Sequence, residues 1–249
     1  MRLRNVPEAK EIVKNSHYVI REPFGMRGKW REFADRPLYV EIGTGKGSFL
    51  METARRHPER EFLGVERYES VLYRACEKME GKEAMDPAAR AIRAEQEHQE
   101  SGGEDVRTPE NLHFLSMDAR DLPDVFAPGE VDGLYLNFSD PWPKARHAKR
   151  RLTSREFLAV YEKFLKDGGI LEFKTDNRPL FDFSVEELTE VPNWEILEIT
   201  YDLHHDPVMG AGNVMTEYEK KFSALGNKIN KLKAVFHRPP NLGGNKNGH

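Results

Sequence analysis

The chain has 249 residues, 32% of them charged and 38% apolar, with a formal net charge of −4. That length accommodates one α/β domain with decorations, and its core is large enough to need no covalent staples. No apolar run approaches the ~20 residues of a membrane-spanning helix, and the basic N-terminus lacks an apolar signal core, so no membrane contact and a cytoplasmic location are expected.

Residues 1–36 read as a basic N-terminal arm carrying Arg2, Arg4 and Lys10. Leu38–Ile42 is a short apolar strand, followed by glycines and a helical stretch from Ser48 to Arg56. Glu61–Glu66 reads as the second strand and Ser70–Met79 as the second helix. Within that helix Cys76, the single cysteine, reads as a small buried residue; alone it forms no internal disulfide and fits a reducing compartment. From Glu80 to Glu110 nine acids face four bases, so this stretch alone outweighs the net charge of the whole chain. It contains an exposed helix up to Gln99 and the loop Ser101-Gly102-Gly103, which marks about 81–109 as an acidic insertion.

Strand signals return at Asn111–Leu115, Gly133–Phe138 and Ile170–Lys174. Between the last two, Thr153-Ser154-Arg155-Glu156 predicts a helix start with a glutamate three residues beyond its cap, and Gly168-Gly169 predicts the stop. Phe181–Glu190 follows as helix, then Trp194–Tyr201 and Tyr218–Leu225 as strands separated by a long loop. Such alternation predicts a mostly parallel sheet covered on both faces, with an antiparallel hairpin at one edge. The domain then runs from 37 to 225, and 226–249 is a C-terminal tail, Gly/Asn-rich and disordered from Asn241 onward. No Cys/His cluster has metal-ligand spacing; adjacent His204-His205 reads as loop, so no metal is expected.

The first chemical signal is Glu41-Ile42-Gly43-Thr44-Gly45-Lys46-Gly47, a strand end running through glycines into a helix. Gly43 and Gly45 let a ligand approach the backbone, and the helix N-terminus offers free N–H groups. The spacing is Gly-x-Gly-x-Gly, not the dinucleotide fingerprint Gly-x-Gly-x-x-Gly. Glu41 would repel a pyrophosphate but suits the ammonium and sulfonium of S-adenosylmethionine. Glu66 closes the second strand, where an acid accepts both ribose hydroxyls of a nucleoside; alone it would be a solvated surface group. Asp118-Ala119, after the third strand, falls where an adenine amino group would lie, or else caps a helix.

The fourth strand runs into Ser139-Asp140-Pro141-Trp142-Pro143-Lys144, in the crevice beyond the strands' carboxyl ends. Two prolines stiffen this loop, and its acid, indole and lysine suit a flat base. From Pro141 to Arg155 the chain carries six basic residues and no acid. A polyanion meets this local charge, not the total.

The run from Asn137 to Leu152 resembles the signature of bacterial tRNA (guanine-N7)-methyltransferases. So do Glu41–Gly45, Gly64-Val65-Glu66, Lys174-Thr175-Asp176-Asn177 and Thr216–Phe222, which together span the chain from the N-terminal arm to Phe222. The Asp140–Lys144 segment with its basic follower is specific; the glycine turn is common to the wider class. The resemblance implies a Rossmann-like class I methyltransferase fold, with a mostly parallel seven-stranded sheet, helices on both faces and an antiparallel edge strand. It implies S-adenosylmethionine as cofactor and a guanosine in the variable loop of tRNA as target. By it, Glu41, Glu66, Asp118 and Asp140 contact the cofactor or reacting centre. Lys144, Asp176, Thr216, Glu217, Tyr218 and Glu219 contact the target nucleoside. Arg146, His147, Lys149, Arg150, Arg151 and Leu152 touch RNA, in a monomer or homodimer. The acidic stretch from Gly81 to Pro109 departs from the family pattern.

Guanine N7 has an in-plane lone pair and no proton to lose, so its methylation needs no general base; Asp140 is the expected catalytic residue, stabilising the purine as it becomes cationic. Trp142 or Tyr218 would stack on a base drawn from its tertiary contacts. Two other readings stay open. One is a methyltransferase of the same fold acting on a protein or small-molecule nitrogen, which has no use for the Lys144–Arg151 cluster. The other is an RNA-binding protein with a relict cofactor site, which has no reason to keep Glu41, Glu66 and Asp140.

Overall fold

The computed structural model describes residues 6–81 and 108–240. Among these the sheet comprises β1 Leu38–Ile42, β2 Glu61–Glu66, β3 Leu112–Ser116, β4 Val131–Asn137, β5 Leu165–Thr175, β6 Trp194–Thr200 and β7 Asn230–Phe236. Their order is β3-β2-β1-β4-β5-β7-β6. The first five pair in parallel. β7 runs antiparallel to both β5 and the edge strand β6, so the expected antiparallel pair closes one side. β1 pairs with β2 on one flank and β4 on the other, so the crossovers diverge there and open a crevice above the carboxyl ends.

The helices are α1 Ala9–Asn15, α2 Trp30–Phe33, α3 Ser48–Arg56, α4 Glu69–Met79, α5 Leu122–Val125, α6 Arg155–Tyr161, α7 Arg178–Glu190 and α8 Glu217–Ser223. Phe157, Leu158 and Tyr161 from α6 and Leu180, Phe181 and Leu188 from α7 join the larger core on one face. Ala9 and Val13 of α1, Leu50 and Ala54 of α3 and Leu72 and Cys76 of α4 form the second core. Every residue of β2 is buried, and its interior Phe62-Leu63-Gly64-Val65 is an apolar run between two glutamates, as expected of a strand covered on both faces. Burial pushes the Cys76 thiol up to about 11.

Several expectations are corrected. Tyr218–Leu225 is not a strand: Thr216 Oγ1 accepts from the Glu219 N–H at 2.9 Å and starts α8. Tyr218 and Phe222, one turn apart, then stack at 4.0 Å. The seventh strand is β7, inside the stretch assigned to the tail, where Lys231 and Lys233 alternate with Leu232 and Ala234. The glycine stop at Gly168-Gly169 lies within β5; α6 ends at Tyr161 because Leu165 already enters the sheet. Nor does Ser154 cap α6 through its side chain; Thr153 Oγ1 instead shares a hydrogen bond of 2.6 Å with Ser184 Oγ.

The stretch expected as an arm is packed from Val6 onward. α1 lies against α4, and Trp30, only 2% exposed, donates from Nε1 to the Val125 carbonyl at 2.9 Å. Its apolar side chains join both cores, which a free arm could not do. Arg2, Arg4, most of the acidic insertion and the tail from Asn241 lie outside the described residues. Among those described, no helix is long and apolar enough to cross a membrane.

Candidate active site

Glu41, the last residue but one of β1, is fully enclosed, 2% exposed. Its Oε2 accepts from Thr44 Oγ1 and its Oε1 from Asn137 Nδ2, both at 2.7 Å. Burial pushes its carboxyl up to about 7, against the pull of those two hydrogen bonds and the Lys174 ammonium. A carboxylate so poorly solvated gains by meeting a cation. Gly43 and Gly45 beside it have φ of +79° and +60°, and a Cβ on Gly43 would meet no atom within 4 Å. The turn therefore faces open space on the ligand side.

Glu66 ends β2, and its carboxylate accepts from the Tyr68 N–H at 3.0 Å and the Gly45 N–H at 3.3 Å. Burial raises its pKa despite these bonds. A carboxylate offers about four lone-pair sites, so room remains beside these backbone donors for ligand hydroxyls. Asp118 caps the short 3-10 turn Ala119–Asp121, accepting from the Arg120 N–H at 3.0 Å. Arg120 and Arg67 also pair with it, at 3.2 and 3.7 Å.

Beyond β4 the chain turns through a strained loop. Among the described residues, Phe138 (φ 52°) and Trp142 (φ 41°) are the two non-glycine residues with positive φ, each costing about 1–3 kcal/mol unless the surroundings hold it. Phe138 packs against Tyr218 at 5.0 Å and against Leu203, Met209 and Ile229. Trp142 sits under the Arg150 guanidinium at 5.0 Å and edge-on to His147 at 5.8 Å. Between the strained pair, Asp140 is exposed and Ser139 Oγ is buried with no hydrogen-bond partner. A carboxylate for a cation, one for a ribose, a glycine cradle and an orphaned hydroxyl together fit a nucleoside cofactor with a cationic centre.

The acceptor side is assembled from distant segments. Lys174 of β5, 3% exposed, donates to Glu219 Oε2 at 2.8 Å, to Asn213 Oδ1 at 3.1 Å and to the Val214 carbonyl at 2.9 Å. Glu219, 0% exposed, also bonds His204 Nε2 at 2.9 Å and Asn213 Nδ2 at 2.7 Å. Burial would raise the Glu219 carboxyl, but Lys174 and these hydrogen bonds hold it below the usual carboxylate range. Glu219 and Thr216 thus build α8 and anchor it to the sheet, and His204 is drawn into that anchor. Glu217 hydrogen-bonds Ser48 Oγ at 2.7 Å, contacts Lys78, and pairs with Lys46 at 3.4 Å. Burial would raise it, but Lys78 and Ser48 bring it down to about 2. It ties α8 to the start of α3, directly after the glycine turn. Asp176 accepts from Asn227 Nδ2 at 3.0 Å and faces Tyr218, whose hydroxyl is raised by burial and by that carboxylate.

Ala145–Arg150 forms a 3-10 turn with Lys144 at its cap. Lys144, Arg146, Lys149 and Arg150 are exposed and His147 half-buried. Leu152 instead packs against the main core, and its carbonyl accepts from the Tyr161 hydroxyl at 2.9 Å. Lys174, Asn137 and Thr44 are site residues to which the sequence motifs assign no role. A lysine near the end of an apolar strand is itself a signal, because burial obliges it to find a carboxylate.

A doubly covered, mostly parallel sheet with carboxylates at the ends of β1 and β2 and a rigid acid-bearing loop after β4 defines a class I methyltransferase. The fold is similar to that of an antibiotic-related methyltransferase (TM-score 0.54, 15% identity, 87% of this chain and 91% of that one). It is also similar to that of the 16S rRNA methyltransferase KamB (TM-score 0.53, 17% identity, 84% and 93%). Residues 35–232 match the family described as putative methyltransferase. The tRNA (guanine-N(7)-)-methyltransferase of Lachnoclostridium phytofermentans is 46% identical over 236 residues, 94% of this chain and 98% of that protein. That of Bacillus subtilis is 40% identical over 232 residues, 92% and 96%. The chain belongs to the tRNA (guanine-N7)-methyltransferase family.

Proposed function

We propose that the protein transfers a methyl group from S-adenosylmethionine to N7 of a guanosine in tRNA, in the cytoplasm where tRNA resides. The observation carrying this reading is the pairing of Glu41, buried and short of solvation, with the strained Asp140 loop across the same crevice. Family membership supplies the nature of the acceptor. When bound, the cofactor supplies an electrophilic methyl on a sulfonium centre. Glu41 meets the cationic methionyl end, Glu66 accepts the ribose hydroxyls, and Asp118 with Ala119 borders the adenine.

N7 presents a lone pair and carries no proton, so no residue has to act as a base. Asp140 receives the N–H edge of the guanine, aligns the ring and stabilises it as it gains positive charge. Lys144, Asp176 and Tyr218 line the acceptor side, and Thr216, Glu217 and Glu219 hold α8 in place for them. Most of the rate comes from orientation. Arg146, His147, Lys149 and Arg150 approach the RNA backbone from the rim.

The test is to incubate the protein with labelled S-adenosylmethionine and either bulk tRNA or protein extract. Label is expected in tRNA as 7-methylguanosine; label in protein or in a small molecule overturns the reading. Neutralising Arg146, Lys149 and Arg150 together should then flatten the salt dependence of tRNA binding. For every phosphate no longer neutralised, the log–log slope falls by about 0.7 to 0.9, with cofactor affinity unchanged. An unchanged slope would leave the basic run as a solvated face.

A further inference from the structure

Arg151 closes the basic run, yet its side chain turns away from the rim. Its Nε donates to the Pro141 carbonyl at 3.0 Å and its Nη2 to the Trp142 carbonyl at 3.1 Å. The guanidinium also lies 4.2 Å from the centre of the Phe183 ring on α7, and the residue is half-buried. Its backbone N–H completes the 3-10 turn on the Ala148 carbonyl at 2.9 Å. Two carbonyls, one aromatic face and one turn are thereby joined by a single residue.

These carbonyls belong to the two residues immediately after Asp140, and Trp142 is one of the two strained positions. Strained backbone persists only where neighbours over-determine it. Here the surroundings are identifiable: aromatic packing holds Phe138 at the near end, and the Arg151 fork holds the carbonyls at the far end. Arg150 and His147 hold the indole ring of Trp142, not its backbone.

We propose that Arg151 is a positioning residue for methyl transfer, a brace that fixes the backbone beside Asp140, and not a phosphate contact. The inference rests on the tRNA methyltransferase reading above and assigns one member of the basic run a different task. Only a guanidinium fits it. A fixed fork reaches two carbonyls and stacks on Phe183 at once, whereas a lysine ammonium is a point charge that stacks poorly. The basic run and the catalytic loop are accordingly one mechanical unit: Arg146, Lys149 and Arg150 face outward for the polyanion, and Arg151 carries their position inward to Asp140.

The experiment compares Arg151→Ala and Arg151→Lys with the parent enzyme in single-turnover methylation at saturating tRNA and S-adenosylmethionine. Both variants should be slower by about 10- to 100-fold, the usual penalty for an ångström of misplacement. The tRNA affinity, its salt slope and the cofactor affinity should stay as in the parent. Added guanidinium chloride should restore part of the Arg151→Ala rate, while sodium chloride of equal ionic strength should not. Hydrogen exchange of the 138–144 backbone, which needs no turnover, should accelerate in Arg151→Lys while β4 and β5 remain protected. A salt slope lower by about 0.7 to 0.9 in both variants, with full rate once tRNA saturates, would make Arg151 a phosphate contact and overturn the proposal. Parental rate and exchange in Arg151→Lys would overturn it equally. If the parent enzyme itself leaves tRNA unlabelled, the functional reading fails, and the exchange data alone decide whether Arg151 is a brace.

Discussion

The two halves of the crevice hold their side chains by different means. Around β1, β2 and β3 each proposed cofactor carboxylate has a contact from its own strand end or turn: Thr44 to Glu41 spans three positions, Tyr68 to Glu66 two and Arg120 to Asp118 two. The remote Asn137 and Gly45 add a second bond to Glu41 and Glu66. Around β4, β5 and α8 the anchoring contacts are remote: Lys174 to Glu219 spans 45 positions, Asn227 to Asp176 51 and Ser48 to Glu217 169. Each carboxylate of the cofactor half therefore has a partner as soon as its strand meets its turn. The acceptor half exists only after distant segments have met, and it concentrates its buried charge in one pair.

Removing that pair's cation should break the contrast most severely. Lys174→Met leaves the fully buried Glu219 carboxylate without its ammonium, a loss of about 3–5 kcal/mol, or on the order of 10 °C in melting temperature. Adding Glu219→Leu should recover much of it. Thermal melts of the single and double variants decide; a single variant as stable as the parent would mean that the pair does not anchor α8. Asp140→Ala, by contrast, touches no fold contact and should leave melting unchanged. It should lower single-turnover methylation by about 10²–10³-fold, the usual loss for one preorganised electrostatic group.

On the cofactor side, Glu66→Ala removes one or two hydrogen bonds to a charged acceptor, each worth about 1.5–3 kcal/mol. Titration calorimetry should show weaker S-adenosylmethionine binding, with tRNA binding retained. The smallest effect is in pH. The native Glu41 carboxyl holds its proton up to about 7, against an ordinary value of 4.5. Its stabilising contribution is thus complete below the unfolded value and lost as pH rises through 7. The ligand-free protein should lose stability from pH 5 to 8 relative to Glu41→Gln. Affinity for the cationic cofactor should rise about tenfold from pH 6 to 8, while the rate at saturation stays flat because no base titrates. A cofactor affinity independent of pH would remove Glu41 from the cation site.

The same division explains what the sequence discloses. Glu41, Glu66 and Asp118 stand where strand ends in register predict them, because periodicity and glycines mark those ends locally. β2 and α3 fall at the expected residues, and an antiparallel pair closes one edge as expected, though of its two strands only β6 lies at the expected residues. Tyr218–Leu225 misleads because its aromatic content imitates a strand and hides a threonine cap with a glutamate three residues later. The alternation of Lys231–Phe236 is obscured by its polar members. The Lys174–Glu219 pair, the double duty of Glu217 and the inward turn of Arg151 depend on which remote segments touch, which no local pattern encodes. Thr216 and Glu219 are legible as important, but their hydrogen bonds place them in the scaffold of α8.

β3 is a terminal strand of the sheet, but its outer rim is not bare. Ile20 donates to the Phe114 carbonyl at 3.0 Å, and the Phe114 N–H donates to the Tyr18 carbonyl at 2.7 Å. A single parallel bridge, Val19 to Phe114, results. Unguarded strand rims are templates for aggregation. The short segment ahead of α2 thus works as a selvedge, finishing the sheet so that it does not unravel into contact with its neighbours. A version of the chain beginning after Ile20 would keep every proposed ligand of the cofactor and still lose solubility.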